Sequence, residues 1–285
     1  MKFIDKQVYS ILNQKQVNLD LFVSIDFSTD GSYEWFVDIS KKYKKNIKIL
    51  PYGDTYGSAG KNFFRIINEV NFDSYDYIAL SDQDDIWHTD KLQRAYNVIK
   101  TNNVEGYSSN VTVLRSNKTK KYLNKFSTQK QFDYFFESAG PGCTYVFKRD
   151  SIMKFKSFIK EKSNKINEIV FHDWLIYAFF RANKMSWFID SKAMMDYRYH
   201  SSNVIGPNTD LKAFFKRLKM VLNGFYFGQF TLISSLFSDK KYLGFCTKKL
   251  FLIKNFWQLR RSPLDAFILL LFLFFFYSSN KLCEK

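Results

Sequence analysis

The sequence predicts an α/β protein with an open, mostly parallel sheet, helices on both faces, and a helical, basic-aromatic C-terminal appendage. Two observations lead to this class. Up to about residue 200, short β-rich runs alternate with longer runs whose apolar residues recur at helical spacing. Beyond that point the β-rich runs cease, and basic, aromatic sequence of helical character follows.

The alternation starts with a helix, because residues 3–14 have an amphipathic pattern and no β-rich run precedes them. The predicted strands are DLFVSID (20–26), IKILPY (47–52), YDYIALSD (75–82) and CTYVFK (143–148). Helices are predicted between them at 32–45, 58–70 and 89–100. A chain of 285 residues can bury a core of this kind without disulfides.

Gly206 and Pro207 interrupt the pattern, so we predict one domain at 1–205 and a helical, membrane-associating region at 206–285. The chain has a net charge of +16, and residues 211–285 hold 13 of its 43 Lys and Arg residues against three acidic ones. These basic residues alternate with large apolar side chains. The tail therefore predicts binding to an anionic membrane surface rather than to nucleic acid.

The uncharged run AFILLLFLFFFY (266–277) is shorter than the roughly 20 residues that a membrane-spanning helix needs. It predicts a monotopic or re-entrant helix, with burial against the domain as the alternative. Cys143, Cys246 and Cys283 have no CxxC spacing, which argues against a disulfide framework or a zinc site. Because the N-terminus does not resemble a secretory leader, we expect the protein at the cytoplasmic face of the cell membrane.

The segment ALSDQDDIWHTDKL (79–92) places Asp82, Asp84 and Asp85 directly after a predicted strand, with Asp90 farther on. Crowded carboxylates repel one another unless a cation offsets their charge, and such oxygen ligands suit Mg²⁺ or Mn²⁺. The motif alone leaves open a metal site or an ordinary acidic turn, with Asp90 as a helix-start charge. The segment 26–32 also follows a strand, and the carboxyl ends of parallel strands share one crevice.

Six segments occur in the order found in family 2 glycosyltransferases: VSIDFSTDGS (23–32), YGSAGKNFFR (56–65), LSDQDDIW (80–87), SAGPGCTYVFKRD (138–150), HDWLIY (172–177) and YRYHSSNVIG (197–206). Over about residues 5–206 the chain most resembles the rhamnosyltransferase-like branch of that family. This resemblance implies the GT-A fold and the transfer of a sugar from a nucleotide-diphosphate donor.

The resemblance also implies roles for single residues. Asp82 and Asp84 match the D-x-D that holds a divalent cation, Mg²⁺ or Mn²⁺, on the diphosphate of the donor, and His200 matches a histidine that completes this site. Asp173 matches the general base of inverting members, and Trp174 would help wall the acceptor pocket. Each assignment has a structural alternative, since an Asp that begins a helix is often only a cap and a lone His is often structural.

Three further residues are implied to contact the donor. Gly140 and Gly142 lie in the loop near the donor sugar, although such glycines can also mark an ordinary turn. Asp26 matches the second of two adjacent acids, because Ile25 occupies the place of the first, and Asp85 matches an acid of less defined role. The chain also starts after the point where the first strand of the family would end, so that strand and its polar loop are expected to be missing.

The leading hypothesis is an inverting, metal-dependent glycosyltransferase that moves a sugar, with rhamnose the expected one, to a lipid-linked or polysaccharide acceptor in cell-surface glycan synthesis. It would bind the inner leaflet of the membrane as a peripheral or monotopic protein. One alternative keeps the fold and changes the donor sugar to a hexose or N-acetylhexosamine. Another is a catalytically silent, truncated paralogue that binds membrane or partner proteins.

Overall fold

A computed structural model describes residues 3–43, 46–115, 117–200, 219–237 and 248–275. The helices are α1 Ile4–Leu12, α2 Ser32–Lys42, α3 Ala59–Glu69, α4 Lys91–Asn102, α5 Arg149–Glu161, α6 Ser163–Ile166, α7 His172–Ala182, α8 Phe225–Ser235, α9 Lys249–Lys254 and α10 Pro263–Phe275. The strands are β1 Leu21–Val23, β2 Ile47–Ile49, β3 Tyr77–Ala79, β4 Ile86–Trp87, β5 Gly106–Arg115, β6 Lys120–Leu123, β7 Val146–Lys148 and β8 Trp187–Tyr199. All four predicted strands and all four predicted helices are present.

The strands form two separate sheets in the described part of the chain. β1 and β2 make a parallel pair, and the other six strands form a sheet in the order β3-β7-β5-β8-β4, with β6 paired to β5. The prediction of mostly parallel strands is wrong for this larger sheet, where only β5 and β8 run parallel. Antiparallel pairing needs only short connections, such as the hairpin between β5 and β6.

Two amphipathic helices cover the strands that carry the acidic motifs. In α1, the buried residues Ile4, Val8 and Ile11 follow helical spacing. The apolar side of α1 packs on β1 and next to β4. In α3, Phe63 and Ile67 are buried in the cluster that contains Ile78 of β3. β1 and β3 therefore lead into the same region of the molecule, although they are not paired with each other.

The described C-terminal helices pack on the first domain. Phe230 of α8 is fully buried and stacks on Phe136 at a ring distance of 4.4 Å. α10 buries Leu269 and Leu273 in the same core, while another stripe of α10 is exposed: Leu264, Phe267, Ile268, Leu271 and Phe274. Among the described residues, no helix is long and apolar enough to cross a membrane. The predicted boundary at 205/206 lies outside the described residues, as do residues 276 and 277 of the apolar run.

Two arginines of the basic tail attach this region to the domain. Arg261 is 6% exposed and lies 3.3 Å from carboxylates of both Asp133 and Glu137. Arg260 donates a hydrogen bond of 2.7 Å to the carbonyl oxygen of Phe136 and lies 3.5 Å from Asp265. These two positive charges therefore hold the segment before Gly140 in place, and they do not belong to an exposed basic surface.

Candidate active site

One cavity of 2510 Å³ collects most of the residues predicted for the site. Its lining includes Asp26, Asp82, Asp84, Gly140, Gly142, Asp173 and Trp174. They come from the ends of β1 and β3, from the loop before β7 and from the first turn of α7. His200 follows β8 and reaches the same place through Asp84. The structure thus brings together residues that are far apart in the sequence.

Asp84 is held at a defined position by the end of β8. The Nε2 atom of His200 lies 2.8 Å from Oδ2 of Asp84, and Arg198 donates a hydrogen bond to the backbone carbonyl oxygen of Asp84. The His200 ring stacks on Phe3 with a centroid distance of 4.5 Å. A carboxylate and an imidazole nitrogen fixed in this way are suitable ligands for a divalent cation.

Asp82 lies in an environment that disfavours its charged form. Burial and the nearby carboxylates of Asp84 and Asp173 raise its pKa to about 7, and a hydrogen bond with the Cys143 thiol opposes part of this effect. A divalent cation would remove this penalty, because it supplies the positive charge that the carboxylates lack. The residues present therefore fit a Mg²⁺ or Mn²⁺ site.

Two residues without a predicted binding role lie beside Asp82. Asp82, Asp85 and Cys143 each place a ligand atom within 4.8 Å of the other two, and Asp85 and Cys143 are completely buried. Burial, with the charge of Asp82, raises the pKa of Asp85 well above its usual range. The only sequence feature that points to a place of Cys143 in the site is its position in the SAGPGC segment. Its spacing from the other cysteines does not indicate a ligand.

Lys91 is a buried lysine close to Asp85 and Cys143. Its Nζ atom lies 3.6 Å from the centroid of the Trp87 ring, and burial lowers its pKa to about 7. Nothing in the sequence distinguishes Lys91 from the other lysines at the start of a predicted helix. Its burial follows from tertiary packing, which the helical pattern does not specify.

Asp173 and Trp174 belong to the first turn of α7 but have different surroundings. Oδ1 of Asp173 accepts a hydrogen bond of 2.9 Å from the backbone N–H of Trp174, and the side chain borders the cavity close enough to raise the pKa of Asp82. Trp174 is 4% exposed, and its Nε1–H donates to the carbonyl oxygen of Tyr134 at 3.0 Å. Trp174 therefore forms a rigid part of the wall.

Gly142 allows the loop before β7 to approach the start of α7. A Cβ atom at this position would lie 2.5 Å from Nε2 of His172 and 3.0 Å from Cβ of Asp173. Gly140 has a φ of +120°, a conformation that favours glycine. The close approach to α7 is that of Gly142, and the predicted contact of both glycines with a donor sugar stays a prediction.

Asp26 is engaged by the loop that leads into α3. Its carboxylate accepts hydrogen bonds from the backbone N–H groups of Tyr56 and Gly57 at 3.1 and 2.9 Å, and from Asn62 Nδ2 at 2.7 Å. Through these bonds the carboxylate of Asp26 holds the loop that contains Tyr56 and Gly57 against the end of β1. A contact of Asp26 with a donor remains a prediction, since the side chain also borders the cavity.

Comparisons with known proteins agree on one family. The model of glycosyl transferase family 2 matches residues 2–182. The chain is 41% identical over 280 residues to the dTDP-rhamnosyl transferase RfbG of Shigella flexneri, which covers 95% of this chain and 96% of that protein.

Solved structures share the fold at low sequence identity. The S. aureus TarS 1–349 structure in complex with UDP has a TM-score of 0.52 and 15% identity, and the match covers 95% of this chain and 83% of that one. The mannosyltransferase PcManGT from Pyrobaculum calidifontis, in complex with GDP-Man and Mn²⁺, has a TM-score of 0.51 and 11% identity, with coverages of 98% and 74%.

Proposed function

Since the chain belongs to glycosyl transferase family 2, we propose that it is an inverting, metal-dependent transferase that moves a rhamnosyl group from a dTDP donor to a lipid-linked or polysaccharide acceptor. Family membership confirms the predicted resemblance, and with it the GT-A fold and the assignment as a glycosyltransferase. Metal dependence, inversion, donor, acceptor and membrane attachment are proposals for this chain.

The observation that carries the proposal is the meeting of Asp82, Asp84 and Asp173 at one cavity, with His200 bound to Asp84. These residues divide into two groups by position. Asp82 and Asp84 follow β3, whereas Asp173 lies at the start of α7. Asp82 and Asp84 can therefore hold the donor diphosphate while Asp173, from another element, faces an acceptor.

Asp82, Asp84 and His200 would hold the cation. A bound Mg²⁺ or Mn²⁺ would neutralise the negative charge that develops on the departing nucleoside diphosphate. Support comes from the donor set of two carboxylates and an imidazole, from the raised pKa of Asp82, and from the Mn²⁺ in the PcManGT complex.

Asp173 would act as the general base. A carboxylate in hydrogen-bond reach of the acceptor hydroxyl takes its proton as the oxygen attacks the anomeric carbon. The bond to the diphosphate breaks on the opposite face, so the anomeric configuration inverts without a covalent enzyme intermediate. The hydrogen bond from the Trp174 N–H leaves Asp173 oriented at the helix start.

The choice of dTDP-rhamnose rests on the relative RfbG, whose name gives a dTDP-rhamnosyl donor and which matches nearly the whole chain. The alternative with a hexose or N-acetylhexosamine donor is supported by the structural similarity to sugar transferases that bind UDP or GDP-Man. Because those similarities concern the fold, the rhamnosyl donor is the one we propose.

Attachment to the inner leaflet is supported by α10 and its surroundings. One stripe of α10 exposes five large apolar side chains, and Nζ of Lys249 donates a hydrogen bond of 3.3 Å to the carbonyl oxygen of Phe274 near the end of that helix. An apolar stripe beside basic residues suits the surface of an anionic membrane. A protein docked there would meet lipid-linked acceptors.

A transfer assay tests this function. The purified chain is incubated with dTDP-rhamnose, Mn²⁺ and an extract of lipid-linked glycans, and the release of dTDP is followed. We expect release that requires the extract and is faster than with UDP-glucose or UDP-N-acetylglucosamine. Release with one of the other donors alone would replace rhamnose in the proposal, and none with any donor would favour the silent paralogue.

A further inference from the structure

Two buried polar side chains beside Asp82 are left without hydrogen bonds. Both carboxylate oxygens of Asp85 and the Nζ atom of Lys91 are inaccessible to solvent, and no described residue makes a hydrogen bond of regular geometry with any of these three atoms. Buried polar groups are almost always paired, and an exception often marks a bound water or ion. Asp85 therefore offers two free oxygens to a bound ion.

Asp85 lies together with two other groups that bind cations. One ligand atom each of Asp82, Asp85 and Cys143 lies within 4.8 Å of the other two. The two acids follow β3, whereas Cys143 comes from the turn before β7, and β3 and β7 are paired in the sheet. The fold itself thus brings the thiol to the carboxylates. Zinc sites with an open position commonly have three protein ligands, and the second oxygen of Asp85 offers a fourth.

The thiol decides which cations suit this group. Mg²⁺ and Mn²⁺ prefer oxygen ligands, whereas thiolates select softer ions such as Zn²⁺. The spacing of the cysteines argues only against a zinc site built from several of them, and this group needs one. A cation that binds here displaces the proton of the Cys143 thiol, which is released to solvent.

The group lies deeper in the protein than the proposed catalytic cation. Asp82 and Asp84 border the cavity, but Asp85 and Cys143 are fully buried and are not among the described residues that line it. A cation held by Asp85 and Cys143 is therefore shielded from the donor diphosphate. Because Asp82 belongs to both sets of ligands, an ion in the deeper position competes for a ligand of the catalytic cation.

Lys91 is the neighbouring group that opposes a cation here. Its Nζ atom lies 3.6 Å from the centroid of the Trp87 ring. Burial lowers the pKa of Lys91 to about 7, and the proximity of Cys143 and Asp85 acts in the opposite direction. A divalent cation beside Asp85 favours the neutral amine, since two positive charges in one buried place repel each other. Removal of the amine should therefore strengthen metal binding.

We infer that Asp82, Asp85 and Cys143 form a second cation site, which binds a thiophilic divalent cation such as Zn²⁺ and inhibits transfer by taking Asp82 from the catalytic cation. Inhibition rests on the proposed function, whereas binding of the cation does not. The two are therefore measured separately.

Cadmium is a direct probe of this site, because Cd²⁺ bound to a thiolate has an ultraviolet charge-transfer band. Cys246 and Cys283 are first replaced by serine, so that Cys143 is the one cysteine left in the full chain. Titration of this variant with Cd²⁺ should give the band and saturate at one equivalent, and Zn²⁺ should remove the band. The further change Cys143→Ser should abolish it.

Two charge variants have expected effects of opposite sign. Asp85→Asn keeps the size of the side chain and removes a ligand, so the affinity for Cd²⁺ should fall by about tenfold or more. Lys91→Met should raise this affinity severalfold, because a competing positive charge is lost. Asp38→Asn, at an exposed residue of α2, should leave it unchanged. Asp85→Asn carries the test if Cys143→Ser does not melt cooperatively.

Inhibition is measured in the variant whose one cysteine is Cys143. Zn²⁺ should lower the Mn²⁺-dependent release of dTDP, and Cys143→Ser should raise the Zn²⁺ concentration for half-inhibition by about tenfold or more. Equal sensitivity of the two proteins would contradict the competition for Asp82.

The cation site itself would be overturned by two results. One is the absence of a Cd²⁺ band in a protein that melts cooperatively, and the other is the same band without Cys143. A Cd²⁺ band that depends on Cys143, together with no transfer from any donor, would contradict the proposed function and leave the cation site standing.

Discussion

Nε2 of His200 lies 2.8 Å from Oδ2 of Asp84, although 116 positions separate these residues in the chain. The contact joins the loop after β3 to the end of β8, the strand that also holds the Asp84 backbone through Arg198. A cation bound at Asp84 would therefore lie next to residues from two elements that are far apart in the sequence.

Asp84→Asn removes a proposed metal ligand with little change in size. We expect turnover to fall to the detection limit and Mn²⁺-dependent donor affinity to fall more than about 10²-fold. Asp38→Asn is the matched control, since Asp38 is exposed on α2 and forms an ion pair with Lys41 at 2.9 Å. Full activity of Asp84→Asn would show that catalysis does not need a cation bound to Asp84.

Asp173→Asn tests the general base. Turnover should decrease by a factor on the order of 10² to 10⁴, while donor affinity measured by calorimetry stays the same. Asp150→Asn provides the control, because Asp150 also lies in the first turn of a helix but is exposed beside Arg149. A parallel loss of donor affinity in Asp173→Asn would indicate a structural role.

Gly142→Ala tests the close approach between the loop and α7. Its Cβ would come within 2.5 Å of His172 Nε2, so the start of α7 has to move and turnover should fall by about tenfold or more. At Gly228, in α8, an added Cβ meets no atom within 4 Å from the other described residues beyond its own helix, so Gly228→Ala should keep normal activity and stability. Equal activity of the two variants would show that α7 tolerates the shift.

Stability without metal should fall as the pH rises toward neutrality. The folded-state pKa of Asp82, about 7, lies above the value of roughly 3.9 for an unfolded chain. The group thus contributes stability below the unfolded value, and this contribution is lost as the pH rises through about 7. Tm of the wild type should fall from pH 5 to 8 more than that of Asp82→Asn, and Mn²⁺ should reduce the difference. Identical slopes would contradict the raised pKa.

Membrane attachment is best tested on the exposed stripe of α10. Deleting 262–285 would also remove the buried residues Leu269 and Leu273, so it would damage the core. The double change Phe267→Asp and Leu271→Asp should lower binding to anionic vesicles by about tenfold or more and keep Tm. Phe126→Asp, at an exposed residue on another part of the domain, should have no effect. Unchanged binding of the double variant would place the attachment elsewhere.

Apart from the two-residue strand β4, the order of strands and helices up to residue 100 follows from the sequence, because apolar spacing and turn residues are local signals. β5 and β8, the longest strands, were not predicted. β5 contains the polar run Ser108, Ser109 and Asn110, which is fully buried. Ser108 donates to the carbonyl oxygen of Ala139 and Asn110 to that of Ser191, so distant partners make this polar run compatible with a central strand.

The site could be predicted to a similar extent. The acidic motif directly after a predicted strand indicates Asp82 and Asp84, whereas Asp173 is implied by the resemblance of HDWLIY to the family. Cys143 and the buried Lys91 could not be found, because their positions depend on packing between elements far apart in the chain. Arg261 was counted with the exposed basic tail, whereas Asp133 and Glu137 hold it inside the protein.

Metal-dependent nucleotide binding is measured by calorimetric titration of the purified chain with dTDP, UDP and GDP, each with and without Mn²⁺. We expect dTDP to bind with the highest affinity and to require Mn²⁺, and we expect Asp84→Asn to lose this binding while Asp38→Asn keeps it. Absence of binding by all three nucleotides, in a protein that melts cooperatively, would contradict the proposed donor site.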